Sequence, residues 1–293
     1  MENARRPHPA LAAFLAALAL ALGFTAVPAE AAPPPKDVDY VAVGDSYTAG
    51  TGAAAFVPTP PCTQTAGGYV DHVDAVVPVS LAGNAACHGA LLVDSSIGVT
   101  SVQAQIGGLM ASGRLSRDTE LVSITAGAND IGVSAILYTC ATSTIEACTA
   151  ASSAAAAALP AVHANLVQTF AAIQSYAPRA RIAVLGYPML FDTSAVPIIP
   201  TPAQALVNGG TAGLNLTIAS AAATAKNLFG TQVQYVDVTG TFAGHAVNST
   251  NPWIFLDSGN LFDPRNFHPN ADGHDAYADA LLASVSLKQL ARA

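Results

Sequence analysis

Five short apolar runs recur along the chain, at residues 40–43, 76–81, 121–125, 182–185 and 233–238, and the stretches between them carry helical patterns. Runs of that length are too short for helices and read as strands buried on both faces. The clearest helical series is Val162, Leu166, Phe170 and Ile173, which ends before Pro178. Two longer helical stretches cover residues 203–228 and 271–290, and residues 154–158 are a run of alanine, the best helix former. Strands alternating with helices predict an α/β fold, a three-layer α/β/α sandwich around a central, mainly parallel five-stranded sheet.

With 293 residues and 52% hydrophobic content, the chain can bury one large core and needs no second domain. Its first 31 residues have the layout of a signal peptide: Arg5 and Arg6, an uncharged Ala/Leu run from Ala10 to Val27, then Ala29-Glu30-Ala31 as an A-x-A cleavage site. A transmembrane anchor is the competing reading, disfavoured by the short, alanine-heavy run and by Pro28. Residues 32–37 form a proline-rich linker and residues 38–293 the domain. The product is expected to be secreted and monomeric. The later apolar segments are broken by Gly, Pro or polar residues, so no membrane span is expected after cleavage. The net charge is −8 and the 11 Lys and Arg are scattered singly, which excludes nucleic acid as a partner.

Export makes the four cysteines readable as disulfides, for which three pairings exist. Cys140 and Cys148 close a short loop, and Cys62 and Cys87 each sit in a loop-like stretch, so Cys62–Cys87 and Cys140–Cys148 are expected. No Cys/His spacing suits a metal, and neither a metal nor an organic cofactor is implied.

In a parallel sheet, ligands bind beyond the carboxyl ends of the strands. The first apolar run leads into Gly44-Asp45-Ser46-Tyr47, and the third into Gly127-Ala128-Asn129-Asp130. A serine in a glycine-bounded turn after a strand exposes its hydroxyl, and it needs a base. Of seven histidines, His268 in Asn266-Phe267-His268-Pro269, just before the last helix, has the most suggestive setting.

These blocks, with Asn84-Ala85-Ala86-Cys87-His88-Gly89-Ala90 between them, resemble the four ordered blocks of the SGNH (GDSL-like) hydrolases, in particular the secreted actinobacterial lipase and esterase branch. The resemblance covers residues 38–293. It implies the SGNH hydrolase fold, Ser46 as nucleophile and His268 as general base. It also implies an oxyanion hole from the Ser46 and Gly89 N–H groups and the Asn129 amide. The substrate implied is a small-molecule or lipid ester.

One position departs from the family pattern. Many members carry an aspartate three residues before the histidine, where this chain has Arg265. A Ser46/His268 dyad is therefore expected, with the imidazole held by a main-chain carbonyl such as that of Arg265; Asp263, five residues before the histidine, is the weaker candidate. Asp45 and Asp130 read as loop-stabilising acceptors. His88 lines the pocket or is a solvated loop residue, His274 faces elsewhere, and His72, His163 and His245 have no constellation. Asn215-Leu216-Thr217 and Asn248-Ser249-Thr250 fit the glycosylation pattern.

Carboxylic ester hydrolysis is the leading reading. A phospholipase A or a carbohydrate-ester deacetylase shares its chemistry, and a catalytically idle secreted binding module shares only its fold. No H-E-x-x-H supports a metallohydrolase and no G-x-S-x-G supports an α/β-hydrolase.

Overall fold

A computed structural model describes residues 37–95 and 97–292; the expected signal peptide, and the linker as far as Lys36, lie outside the described residues. The strands are β1 (Val38–Gly44), β2 (Val79–Asn84), β3 (Leu121–Thr125), β4 (Arg181–Leu185) and β5 (Val233–Val236). They form one sheet in the order β2-β1-β3-β4-β5 with every neighbouring pair parallel. Strand β3 is buried along its whole length, which is why its sequence is apolar without alternation. Its two hydroxyls are both satisfied, that of Ser123 by Tyr40 at 2.6 Å and Tyr69 at 3.1 Å, and that of Thr125 by Asp45 and Thr48, each at 2.7 Å.

Strand β2 lies three residues later than its apolar run suggests. Pro78 has no N–H to give the ladder, and the Val79 N–H turns back to the Val76 carbonyl at 2.7 Å, so pairing starts only at Val79. Strand β5 ends two residues earlier than its run.

The helices are α1 (Tyr69–Asp74), α2 (Val102–Ala111), α3 (Val133–Thr142), α4 (Ile145–Tyr176), α5 (Thr201–Phe229), α6 (Ala271–Ser284) and α7 (Leu287–Leu290). The expected last helix is thus split, with Val285 in an extended conformation between α6 and α7. Right-handed crossovers put the helix after β1 on one face and those after β2, β3 and β4 on the other. The packing agrees, α1 lying against α6 and α4 against both α2 and α5. Side-chain caps start α4, where the Thr144 hydroxyl accepts from Ala147 N–H, and α6, where Asn270 accepts from Gly273 N–H. Helix α4 is long and apolar enough to cross a membrane by length and composition alone, yet its Val162, Leu166, Phe170 and Ile173 are buried in the core.

A methyl placed on Gly127, just past the end of β3, would touch Val162 of α4 and Leu214 of α5. The parts of both helices N-terminal to those residues therefore run on beyond the carboxyl end of β3, with lengths along their own axes of about 26 Å for α4 and about 20 Å for α5. Both expected disulfides are formed, Cys62–Cys87 and Cys140–Cys148. The second ties α3 to the projecting end of α4.

Candidate active site

With β1 between β2 and β3, the chain leaves β1 in one direction and crosses back in the other, so the carboxyl ends of β1 and β3 flank the switch point where a cleft opens. Ser46 follows β1 there. The turn that carries it needs a glycine at position 44, where φ is +141° and a Cβ would stand 2.4 Å from the Thr125 carbonyl oxygen of β3. The Thr51 N–H closes the turn onto the Ser46 carbonyl at 3.0 Å.

The loop before α6 returns over this turn and brings His268 Nε2 to 2.7 Å from Ser46 Oγ, across 222 residues of sequence. The loop is braced by a short antiparallel pairing with residues 253–255: Phe255 N–H donates to the His268 carbonyl and Phe267 N–H to the Phe255 carbonyl, each at 2.8 Å. His268 Nδ1 lies 3.0 Å from the Asn266 carbonyl. A carbonyl only accepts, so Nδ1 carries the proton and Nε2 presents a lone pair to the serine hydroxyl. Burial, followed by the neighbouring His88, pushes His268 down to about 3, against the upward pull of the Asn266 carbonyl.

The carbonyl at Nδ1 belongs to the expected segment, but it is that of Asn266 rather than of Arg265. The Arg265 carbonyl accepts the main-chain N–H of His268 at 3.1 Å and exerts a smaller upward pull on the ring, the chain turning at Phe267, whose φ is +62°. Asn266 is fixed in turn, its side chain accepting from Asp257 N–H and donating to the Asn260 carbonyl. Asp263 is not at the histidine; it forms a two-point ion pair with Arg265, at 3.0 Å from Nε and 2.7 Å from Nη2, which holds its carboxyl below the usual range.

Gly89 and Asn129 line the same cavity as Ser46 and His268. Gly89 sits at φ +80°, a left-handed conformation that favours glycine, and a Cβ there would approach nothing closer than Val99, at 4.0 Å. Among the described residues, neither the Ser46 nor the Gly89 N–H donates to another protein group. The Asn129 amide gives one hydrogen to the Ala90 carbonyl at 2.9 Å and has a second to offer. His88 also lines the cavity; its Nδ1 is 3.0 Å from the Thr51 hydroxyl, and burial lowers its pKa.

The remaining polar residues hold the scaffold. Asp45 is buried, accepting from Thr125 Oγ1 at 2.7 Å, Tyr47 N–H at 3.1 Å and the Tyr187 hydroxyl in a short bond. Burial still pushes it up to about 6, because three hydrogen bonds do not replace its lost water. Asp130 accepts from Leu92 N–H at 3.1 Å. His274 is buried away from the serine: Nδ1 accepts from Tyr69 N–H, so Nε2 donates to the Thr51 carbonyl, pinning the turn that carries Ser46 to α6. Asn215 is no open glycosylation acceptor, since its buried amide bonds both the N–H and the carbonyl of Tyr187.

Tyr47 and Tyr187 went unnoticed in the sequence as site residues. Tyr47 packs edge-on against Tyr187, and both line the cavity. The only signal for Tyr47 is its place directly after the serine; none marks Tyr187. The cavity measures about 460 Å³ and runs from Ser46 and His268 out between α3, α4 and α5.

Residues 42–276 match the model of the GDSL-like Lipase/Acylhydrolase family. Among curated relatives, a "Lipase" of Streptomyces rimosus is 34% identical over 93% of this chain and 95% of its own length. "Lipase 1" of Streptomyces coelicolor is 32% identical over 90% and 93%. The solved extracellular lipase of Streptomyces rimosus superimposes with a TM-score of 0.70 at 30% identity, covering 85% of this chain and 100% of that one. The phospholipase A1 of Streptomyces albidoflavus NA297 gives 0.72 at 26% identity, over 84% and 98%. A sheet of this order, a family match over most of the domain and relatives aligned nearly end to end converge: the chain belongs to the GDSL-like lipase/acylhydrolase family, in its actinobacterial lipase branch, and is a carboxylic ester hydrolase.

Proposed function

We propose that the protein is a secreted lipase or esterase working through an acyl-enzyme on Ser46. His268 Nε2 takes the hydroxyl proton as Oγ bonds to the ester carbonyl carbon, giving a tetrahedral oxyanion. The N–H groups of Ser46 and Gly89 and the free amide hydrogen of Asn129 receive that charge. The imidazolium returns the proton to the leaving alcohol as the C–O bond breaks. Water then repeats the sequence on the acyl-enzyme, releasing the acid and restoring the serine. The imidazolium is steadied by the Asn266 carbonyl, so the machinery is a dyad with a main-chain partner.

The observation that carries this reading is the 2.7 Å contact between Ser46 Oγ and His268 Nε2 inside the cavity that Gly89 and Asn129 also line. Phospholipase A activity is the second reading, favoured by the likeness to the Streptomyces albidoflavus phospholipase A1. Secretion is supported by the leader-like residues 1–31, by the two disulfides and by the extracellular relative. The test is hydrolysis of p-nitrophenyl esters from acetate to palmitate, beside diacyl phospholipid, by the wild type and by Ser46→Ala. Activity on a carboxylic ester that vanishes in Ser46→Ala is expected; activity that survives the substitution refutes the mechanism.

A further inference from the structure

Helix α5 carries three glycines within five positions, Gly209, Gly210 and Gly213, far from either end. Glycine is among the poorest residues for a helix interior, and it is usually kept there for close packing or a left-handed backbone. Neither reason holds here. None of the three has a positive φ; a methyl on Gly209 or Gly210 would meet nothing within 4 Å, and one on Gly213 would make only ordinary contact with Leu159 at 3.6 Å. What the three share is position: all line the cavity that holds Ser46 and His268.

The opposite wall comes from the projecting part of α4, where Thr149, Ser153, Ala156 and Leu159 fall on one helical face. The Thr149 hydroxyl donates to the Ile145 carbonyl at 2.8 Å and that of Ser153 to the Thr149 carbonyl at 2.9 Å, so both hydrogens are spent within the helix, and Ser152 beside them contributes a buried hydroxyl without a protein partner among the described residues. This wall therefore presents mainly carbon. Val133 and Ile136 of α3 close the third side. The result is a carbon-lined groove, continuous with the serine and widened wherever α5 lacks a side chain.

We infer that this groove receives the acyl chain of the ester, and that Gly209 and Gly210 set its cross-section and so admit medium to long acyl chains. The inference rests on the reading of Ser46 as nucleophile. From the level of Leu214, beside the end of β3, to Gly210 is about 6 Å along the helix, so a short acyl group stops before Gly210 and Gly209 and a long one lies across them.

The test compares kcat/KM for p-nitrophenyl butyrate and laurate in wild type, Gly210→Ala, Gly210→Leu and the double variant Gly209→Leu/Gly210→Leu. Alanine is the better helix former, so Gly210→Ala is expected to raise Tm by about 2–4 °C, which keeps a folded variant in the series. The laurate-to-butyrate ratio is expected to fall stepwise with side-chain size, by about tenfold or more in the double variant. An unchanged ratio in folded variants overturns the groove assignment while Ser46-dependent butyrate hydrolysis leaves the mechanism standing. Butyrate hydrolysis that survives in Ser46→Ala, run beside the series, instead overturns the mechanism on which the inference rests.

Discussion

The Tyr47 hydroxyl donates to the Phe267 carbonyl at 2.7 Å, joining the residue after the serine to the residue before the histidine. Phe267 is the non-glycine residue held at positive φ among those described, a conformation L side chains adopt at a cost. The Tyr47 ring also lies 5.3 Å from that of His268. One side chain thus holds the segments that carry Ser46 and His268 in register. Tyr47→Phe keeps the ring and removes the tether. We expect kcat on a short ester to fall about tenfold with KM little changed, and stability to fall by about 1–2 kcal/mol. Steady-state kinetics beside a denaturation curve check this; an unaltered kcat denies Tyr47 a positioning role.

Asp263→Ala separates a dyad from a triad. Because the carboxylate is engaged by Arg265 and not by the imidazole, kcat is expected to stay within about threefold of wild type. A fall of orders of magnitude in folded protein makes Asp263 part of the catalytic set.

The acid limb of kcat/KM should lie well below the ordinary histidine range. On the proposed mechanism only neutral His268 accepts the serine proton, and with its pKa lowered to about 3 the neutral form prevails above about pH 3. A limb centred near the unperturbed value of about 6.5 shows that solvent reaches the ring. Repeating the profile with Asp45→Asn assigns any limb near pH 6 to the buried carboxyl instead.

Asp45 makes stability depend on pH in the sense opposite to a salt-bridged aspartate. Its folded pKa, about 6, exceeds the unfolded value of about 3.9, so the folded chain binds the proton more tightly. Its contribution is most favourable below about pH 4, declines between about pH 4 and 6 and is flat above. The full change is on the order of 3 kcal/mol. Denaturant midpoints from pH 4 to 7 should show that decline in wild type and lose it in Asp45→Asn; parallel curves rule it out.

The disulfide Cys140–Cys148 fixes the start of α4 to α3, at the groove wall. Replacing both cysteines by serine is expected to cost roughly 2–3 kcal/mol of stability. Because the wall loosens, the laurate-to-butyrate ratio should change more than it does on removing Cys62–Cys87. Equal ratios in the two double variants would falsify that link.

The strand runs, the helical stripe from Val162 to Ile173 and the four blocks were legible because each depends on residues adjacent in sequence or one helical turn apart. Backbone sterics and the burial of apolar faces act at that range, and they select a parallel α/β sheet with Ser46 and Asn129 beyond its edge. Other features were settled only by the fold. Asn266 and Arg265 have chemically identical carbonyls, and the fold of the loop around the left-handed turn at Phe267 brings that of Asn266 to Nδ1. Tyr187 reaches Asp45 across 142 residues, and the glycines of α5 gain meaning only because α4 projects opposite them past the sheet. Local sequence determined the elements and the reactive side chains; which groups meet across the cleft was decided by packing, because contact between distant segments follows from how whole faces are buried and not from any one residue's preference.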